Sequence, residues 1–350
     1  MKGNGPIILA RYAALVWTGL LIYGSLHPFA GWRDNGVSPF AFLDAAWPRY
    51  WTLFDLGANV LIYLPMGFLL TLALSRLPGR LTAAAIAVLL GGGISFCLEL
   101  IQNWLPSRVP SNVDLACNSV GTLFGAVLAV FFGPRFFPLL TRWLHRLLAP
   151  MPHAELGLTL LGLWLLIPLS PEILLFGAGD LRQALGLPGA LPFSVEHFTR
   201  AETAVVACNI VAVGLLVRLL SASLRLAFAL VPAVLLVGLL VRMLAATVLV
   251  GPAQWAAWWT PGVANGLLLG GGGLVVTMLL PHWLRVTVAA LALMAGTALV
   301  NITPPNPYSL AALAVWKQGH FLNFNGLTRV VSVIWPFLVL PYLMFATRRE

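Results

Sequence analysis

Apolar runs of roughly bilayer-crossing length follow one another along almost the whole chain. A helix needs roughly 20 such residues to cross about 30 Å of hydrocarbon. The stretches 10–26, 55–74, 82–104, 112–132, 156–176, 202–220, 225–246, 262–280, 285–302 and 331–347 reach or approach that length. Inside lipid the backbone must satisfy its own polar groups, so runs of this kind become helices. The chain is therefore predicted to be an all-α, polytopic integral membrane protein with about ten transmembrane helices. Composition agrees: 60% of residues are hydrophobic and 9% charged, against roughly 25% charged in soluble domains. The first run reads as a retained anchor, because no small-residue cleavage site follows it in GSLHPFAGW.

The net charge of +9 invites a polyanion, but its distribution points elsewhere. With the N-terminus placed in the cytoplasm, twelve of the twenty basic residues fall on the cytoplasmic side: Lys2, Arg11, Arg76, Arg80, Arg135, Arg142, Arg146, Arg218, Arg225, Arg285, Arg348 and Arg349. Seven others, Arg33, Arg49, Arg108, Arg182, Arg200, Lys317 and Arg329, spread over longer outer loops, and Arg242 lies within a span. This positive-inside bias predicts a multi-pass protein with both termini in the cytoplasm. No nucleic-acid partner is expected. Of the acidic residues, all but Glu155 and Glu350 fall toward the outer side. Cys97, Cys117 and Cys208 sit in apolar spans as small packing residues, and the histidines show no ligand spacing, so neither a metal nor another cofactor is expected.

A division falls near residue 150. Residues 1–150 form a four-span region that ends in a basic segment, and 151–350 form a six-span region. The segment GPRFFPLLTRWLHRLLAPMPH alternates Arg135, Arg142 and Arg146 with aromatic and leucine residues. It reads either as a helix in the cytoplasmic interface, its arginines near anionic headgroups, or as a plain basic loop. Trp255, Trp258 and Trp259 suit an outer headgroup belt. The Gly121/Gly125 pair and the glycine runs at 91–93 and 270–273 favour close helix approach.

Polar residues interrupt the spans between Asp55 and Val130. Ionisable groups at membrane depth are costly, so each is a functional candidate by default. Ser95, Glu99 and Gln102 share one helix face, and so do Asp114, Asn118, Gly121 and Gly125. The turn WLPSRVPSN is too short to let the two helices separate, and Asn59 lies at similar depth on the preceding span. Glu99 and Asp114 are the candidate catalytic acids, with Asn59, Gln102, Arg108 and Asn118 as candidate ligand-binding groups. A closed polar network that only fixes the hairpin is the competing reading. Elsewhere, Arg242 is expected to snorkel outward or to pair with Glu202 or Glu172, and Glu202 reads as a helix-end residue.

The pattern resembles the VanZ-like family over roughly residues 10–135. The residues that carry it are Asn59, Pro65, Gly67 and Phe68 (N-x5-P-x-G-F), Glu99 and Gln102 (E-x2-Q), Arg108, and Asp114, Asn118 and Gly121 (D-x3-N-x2-G). The resemblance implies a cell-envelope role, and the family's founding member is associated with resistance to the glycopeptide teicoplanin. Three functions stay open at this point. One is binding or modifying a lipid-linked cell-wall or polysaccharide precursor among the membrane lipids. The others are transporting or flipping an envelope lipid, and acting as a non-catalytic scaffold.

Overall fold

The computed structural model describes residues 5–47, 52–170, 172–185, 193–304 and 322–347. Lys2, Arg49, Lys317, Arg348, Arg349 and Glu350, which enter the charge distribution above, lie outside the described residues, as does most of the 303–330 loop. The described residues form helices and no β-strand. They are α1 (Gly5–Leu26), α2 (Leu53–Ala73), α3 (Arg80–Gln102), α4 (Asn112–Leu147), α5 (Ala154–Trp164), the single turn α6 (Arg182–Leu185), α7 (Val195–Leu220), α8 (Leu224–Ala245), α9 (Pro261–Met278), α10 (His282–Ile302) and α11 (Leu322–Thr347). Nine of them are long and apolar enough to cross a membrane. The chain divides into two compact units, Met1–Leu144 and His145–Glu350.

In the N-terminal unit, α2 and α4 lie backbone to backbone. A Cβ added at Gly67 would stand 1.9 Å from the Thr122 carbonyl oxygen, and one at Gly125 would stand 1.9 Å from that of Leu64. At Gly121 the clash would be with the Val60 carbonyl oxygen. Small residues at this spacing let helices approach in an apolar medium, where packing rather than water expulsion holds them together. Gly91 of α3 faces the Thr122 side chain, whereas Gly93 faces open space. Helix α1 completes the bundle: Leu21 packs with Tyr63 and Met66, and the Trp17 indole donates to the Ile62 carbonyl at 2.9 Å. Thr52 and Asp55 form a reciprocal capping box that starts α2.

The basic segment after span four is helical and continuous with it. Helix α4 runs for 36 residues, about 54 Å at 1.5 Å per residue. That is well beyond a single hydrocarbon crossing. It carries Pro134 and Pro138 within it.

In the C-terminal unit the fifth predicted span is not one helix, which corrects the reading of 156–176. Helix α5 has only 11 residues, about 16 Å of rise. A 3-10 turn at Ile167–Leu169 and irregular backbone follow it. The segment still traverses the unit. Ala149 N–H donates to the Leu220 carbonyl at one end of α7, while Leu174 packs on Phe198 and Val205 toward the other. Non-helical backbone at such depth survives only where protein satisfies its polar groups, and side chains do so here. Arg242 donates to the carbonyls of Ser170 and Ile173, and Asn301 donates to Gly179 O and accepts from Leu181 N. Gly179 N–H reaches Ser332 O at 2.8 Å.

Arg242 is thus only 3% exposed and does not snorkel. Glu202 lies within its electrostatic reach, and Glu172 pairs with Arg329 at 3.3 Å. Glu202 is itself buried, in the second turn of α7, and accepts from the Thr260 hydroxyl at 2.5 Å. Helix α9 meets α7 along Gly262, Gly266 and Gly270, where added Cβ atoms would strike Glu202, Val206 and Ala207.

Candidate functional site

Helices α2, α3 and α4 bring one end of each to a common end of the N-terminal unit. Their order in the chain and the short 103–111 turn dictate this. The last turn of α3 carries Glu99 and Gln102, the first turns of α4 carry Asp114 and Asn118, and the second turn of α2 carries Asn59. The Asn59 amide donates to Asp114 Oδ1 at 2.9 Å. Glu99 Oε2 accepts from the Ser111 backbone N–H at 2.9 Å, and the Ser111 hydroxyl in turn accepts from Asp114 N–H at 3.2 Å. Ser111 is therefore the hinge of the site: its side chain caps α4 while its amide anchors the acid of α3.

One turn deeper, the Asn118 amide donates to the Ser95 hydroxyl at 2.9 Å. Asn118 is 6% exposed, and its Oδ1 has no hydrogen-bond partner among the described residues. A buried acceptor left open in this way is uncommon and marks a place for water or a ligand group. Tyr63 is buried beside these residues, with its hydroxyl toward Ser95 and within electrostatic range of Glu99. Sequence reading missed it, although its position four residues after Asn59 places both on one face of α2.

The remaining two candidates bind the end of α1. Gln102 donates to the Ser25 carbonyl at 3.2 Å. Arg108 donates through Nε to the His27 carbonyl at 3.1 Å and through Nη2 to that of Gly24 at 2.8 Å. Arg108 acts on Glu99 at longer range. Burial holds the Arg108 pKa below its ordinary value, opposed by the Glu99 charge, and the guanidinium remains a cation. His27, whose Nδ1 lies 2.7 Å from the Tyr23 hydroxyl, is also pushed down, first by burial and then by the Arg108 charge.

All six candidate residues thus share one end of the unit, in two connected groups. Asn59, Glu99, Asp114 and Asn118 link α2, α3 and α4, whereas Gln102 and Arg108 tie the α3–α4 turn to α1. Glu99 is 4% exposed, while Asp114 and Asn59 are half-buried. Asp114 lies within electrostatic range of both Glu99 and the exposed Asp55. Chemically, the arrangement offers two carboxyl groups of unequal solvation, one cation and three amides. That set can hold a polar headgroup and move a proton.

Residues 12–133 match the VanZ/LLP1 family, which leaves a further C-terminal region outside the match. The matched stretch contains every residue of the cluster. No curated protein and no solved structure matches the chain.

Proposed function

We propose that this VanZ-like membrane protein binds an amphiphilic cell-envelope molecule at the polar end of its N-terminal unit. The class we favour is a lipid-linked cell-wall or polysaccharide precursor, or a glycopeptide-related amphiphile, met at the outer face of a bacterial inner membrane. The headgroup lies against Asp114, Asn59 and Arg108, and the tail runs along the apolar helix faces. Glu99, buried and tethered to Ser111, is the general base if a bond is made or broken. One observation carries the reading. Two carboxylates share this end with one arginine, and two of that arginine's donors go to the Gly24 and His27 carbonyls. The Asn59 amide engages one oxygen of Asp114 and the Ser111 N–H one oxygen of Glu99, which leaves both acids acceptor capacity for a ligand.

Complementation of a deletion strain under glycopeptide challenge tests it, using Glu99→Gln and Arg108→Lys. The amide keeps an acceptor for Ser111 N–H, and lysine keeps the charge but loses the two-pronged geometry that suits phosphate or carboxylate. Both variants should fold and fail to complement. Stable variants with full activity would move the assignment to a scaffold.

A second reading, transport of an envelope lipid, is favoured by the discontinuous crossing at 154–181. Broken helices supply binding groups at mid-membrane depth in many transporters. Flux of a labelled lipid across vesicles holding the full chain separates the two readings.

A further inference from the structure

A cleft of about 570 Å³ opens at the end of the N-terminal unit remote from Glu99 and Asp114. Ile7, Leu72, Val130 and Phe137 give it an apolar wall, and Arg80 and Arg142 stand among its lining residues. Three independent features of this end point to one kind of occupant.

The first is charge. Every acidic residue of 1–144, namely Asp34, Asp44, Asp55, Glu99 and Asp114, lies in the other half of the unit or in the loop that joins α1 to α2 there. Arg11, Arg76, Arg80, Arg135 and Arg142 gather at the cleft end. The second is an uncapped helix. Helix α3 starts at Arg80 after Gly79, which has φ +88° and provides no side-chain cap. Ala83 N–H bonds back to Gly79 O, so the first-turn amides of residues 80–82 have no intrahelical partner. Amides of this kind, at the positive end of the helix dipole, form a ready anion site. The third is the apolar wall, which a free anion has no use for. Its volume falls within the range of small-molecule pockets, about 300–1,000 Å³.

We propose that this cleft is a binding site for an anionic phospholipid. The phosphate sits at the α3 N-terminus between Arg80 and Arg142, and one acyl chain lies along Ile7, Leu72, Val130 and Phe137. A zwitterionic headgroup would bring its own cation against two arginines, so the site discriminates by headgroup charge. It stands apart from the Glu99 cluster and does not depend on the function proposed there.

Native mass spectrometry of the full chain, titrated in detergent with phosphatidylglycerol or phosphatidylcholine, tests the proposal. Wild type should retain phosphatidylglycerol and prefer it to phosphatidylcholine. The double variant Arg80→Gln/Arg142→Gln should bind it roughly thirtyfold more weakly, the loss expected for two arginines at an anionic surface. Both arginines are exposed, so this variant should melt like wild type. Val130→Trp fills the wall, keeps both charges and should also displace the lipid. sn-Glycerol 3-phosphate, which has no acyl chain, should compete poorly. Equal binding of the two lipids, undiminished binding by the double arginine variant, or displacement by glycerol phosphate at matched concentration would each overturn the assignment.

Discussion

Asn59 on α2 donates a 2.9 Å hydrogen bond to Asp114 Oδ1 on α4, between two helices whose backbones meet at Gly67, Gly121 and Gly125. A hydrogen bond to a charged group contributes about 1.5–3 kcal/mol. Asn59→Asp should therefore lower stability by at least that much, because it removes the donor and sets two carboxylates together. Asn59→Asp/Asp114→Asn restores one donor and one acceptor and should recover most of the loss. Thermal melting of the four proteins as a double-mutant cycle measures the coupling, and strict additivity would deny it.

The glycine contacts between α2 and α4 predict a sharp positional contrast. Gly125→Ala places a methyl group 1.9 Å from the Leu64 carbonyl oxygen, a backbone atom that cannot swing away. Overpacking of this kind costs about 1–3 kcal/mol or more. Gly93→Ala meets nothing within 4 Å and should leave the melting temperature unchanged or slightly raised. Melting curves that failed to separate the two variants would contradict the close approach.

Arg242 holds the irregular backbone of the fifth crossing. Arg242→Met leaves the Ser170 and Ile173 carbonyls without its donors and the buried Glu202 without its nearby cation. Removing one partner from a buried charged arrangement costs about 3–5 kcal/mol. We expect a melting transition lowered accordingly, partly recovered by adding Glu202→Gln. A variant as stable as wild type would show that the segment supports itself.

The sequence made some of this legible and hid the rest for physical reasons. Hydropathy located the spans, and helical spacing placed Asn59, Glu99, Asp114 and Asn118 at one end, because short turns leave α2, α3 and α4 no other arrangement. The break after Trp164 was hidden. Residues 165–176 are as apolar as a helix, and hydropathy does not register that Pro168, the left-handed Phe176 and Gly179 interrupt one. The hydrogen bonds of Arg108, Gln102 and Arg242 to Gly24, His27, Ser25, Ser170 and Ile173 were equally invisible. These acceptors are backbone carbonyls, which carry no residue signature.

His27 gives the molecule a pH-dependent component of stability. Its pKa in the folded protein lies below its ordinary value, so the unfolded chain binds the proton more readily. The contribution is fully present above the usual histidine range, near pH 6.5, and is lost as the pH falls below it. Wild type should therefore lose more melting temperature between pH 7.5 and 5.5 than His27→Gln does, by a small margin because the ring is half-exposed. Parallel pH curves for the two proteins would contradict it.

The most direct test of the polar end as a ligand site is the lipid that co-purifies with it. Native mass spectrometry should compare Glu99→Gln and Arg108→Lys with their parent, all carrying Arg80→Gln/Arg142→Gln so that the remote cleft is weakened equally in each. The parent should retain a polar-headed amphiphile from the host membrane that both variants lose, while all three melt within a few degrees of one another. Identical lipid content in all three, with melting lowered in the variants, would show instead that Glu99 and Arg108 serve only to hold the helices together.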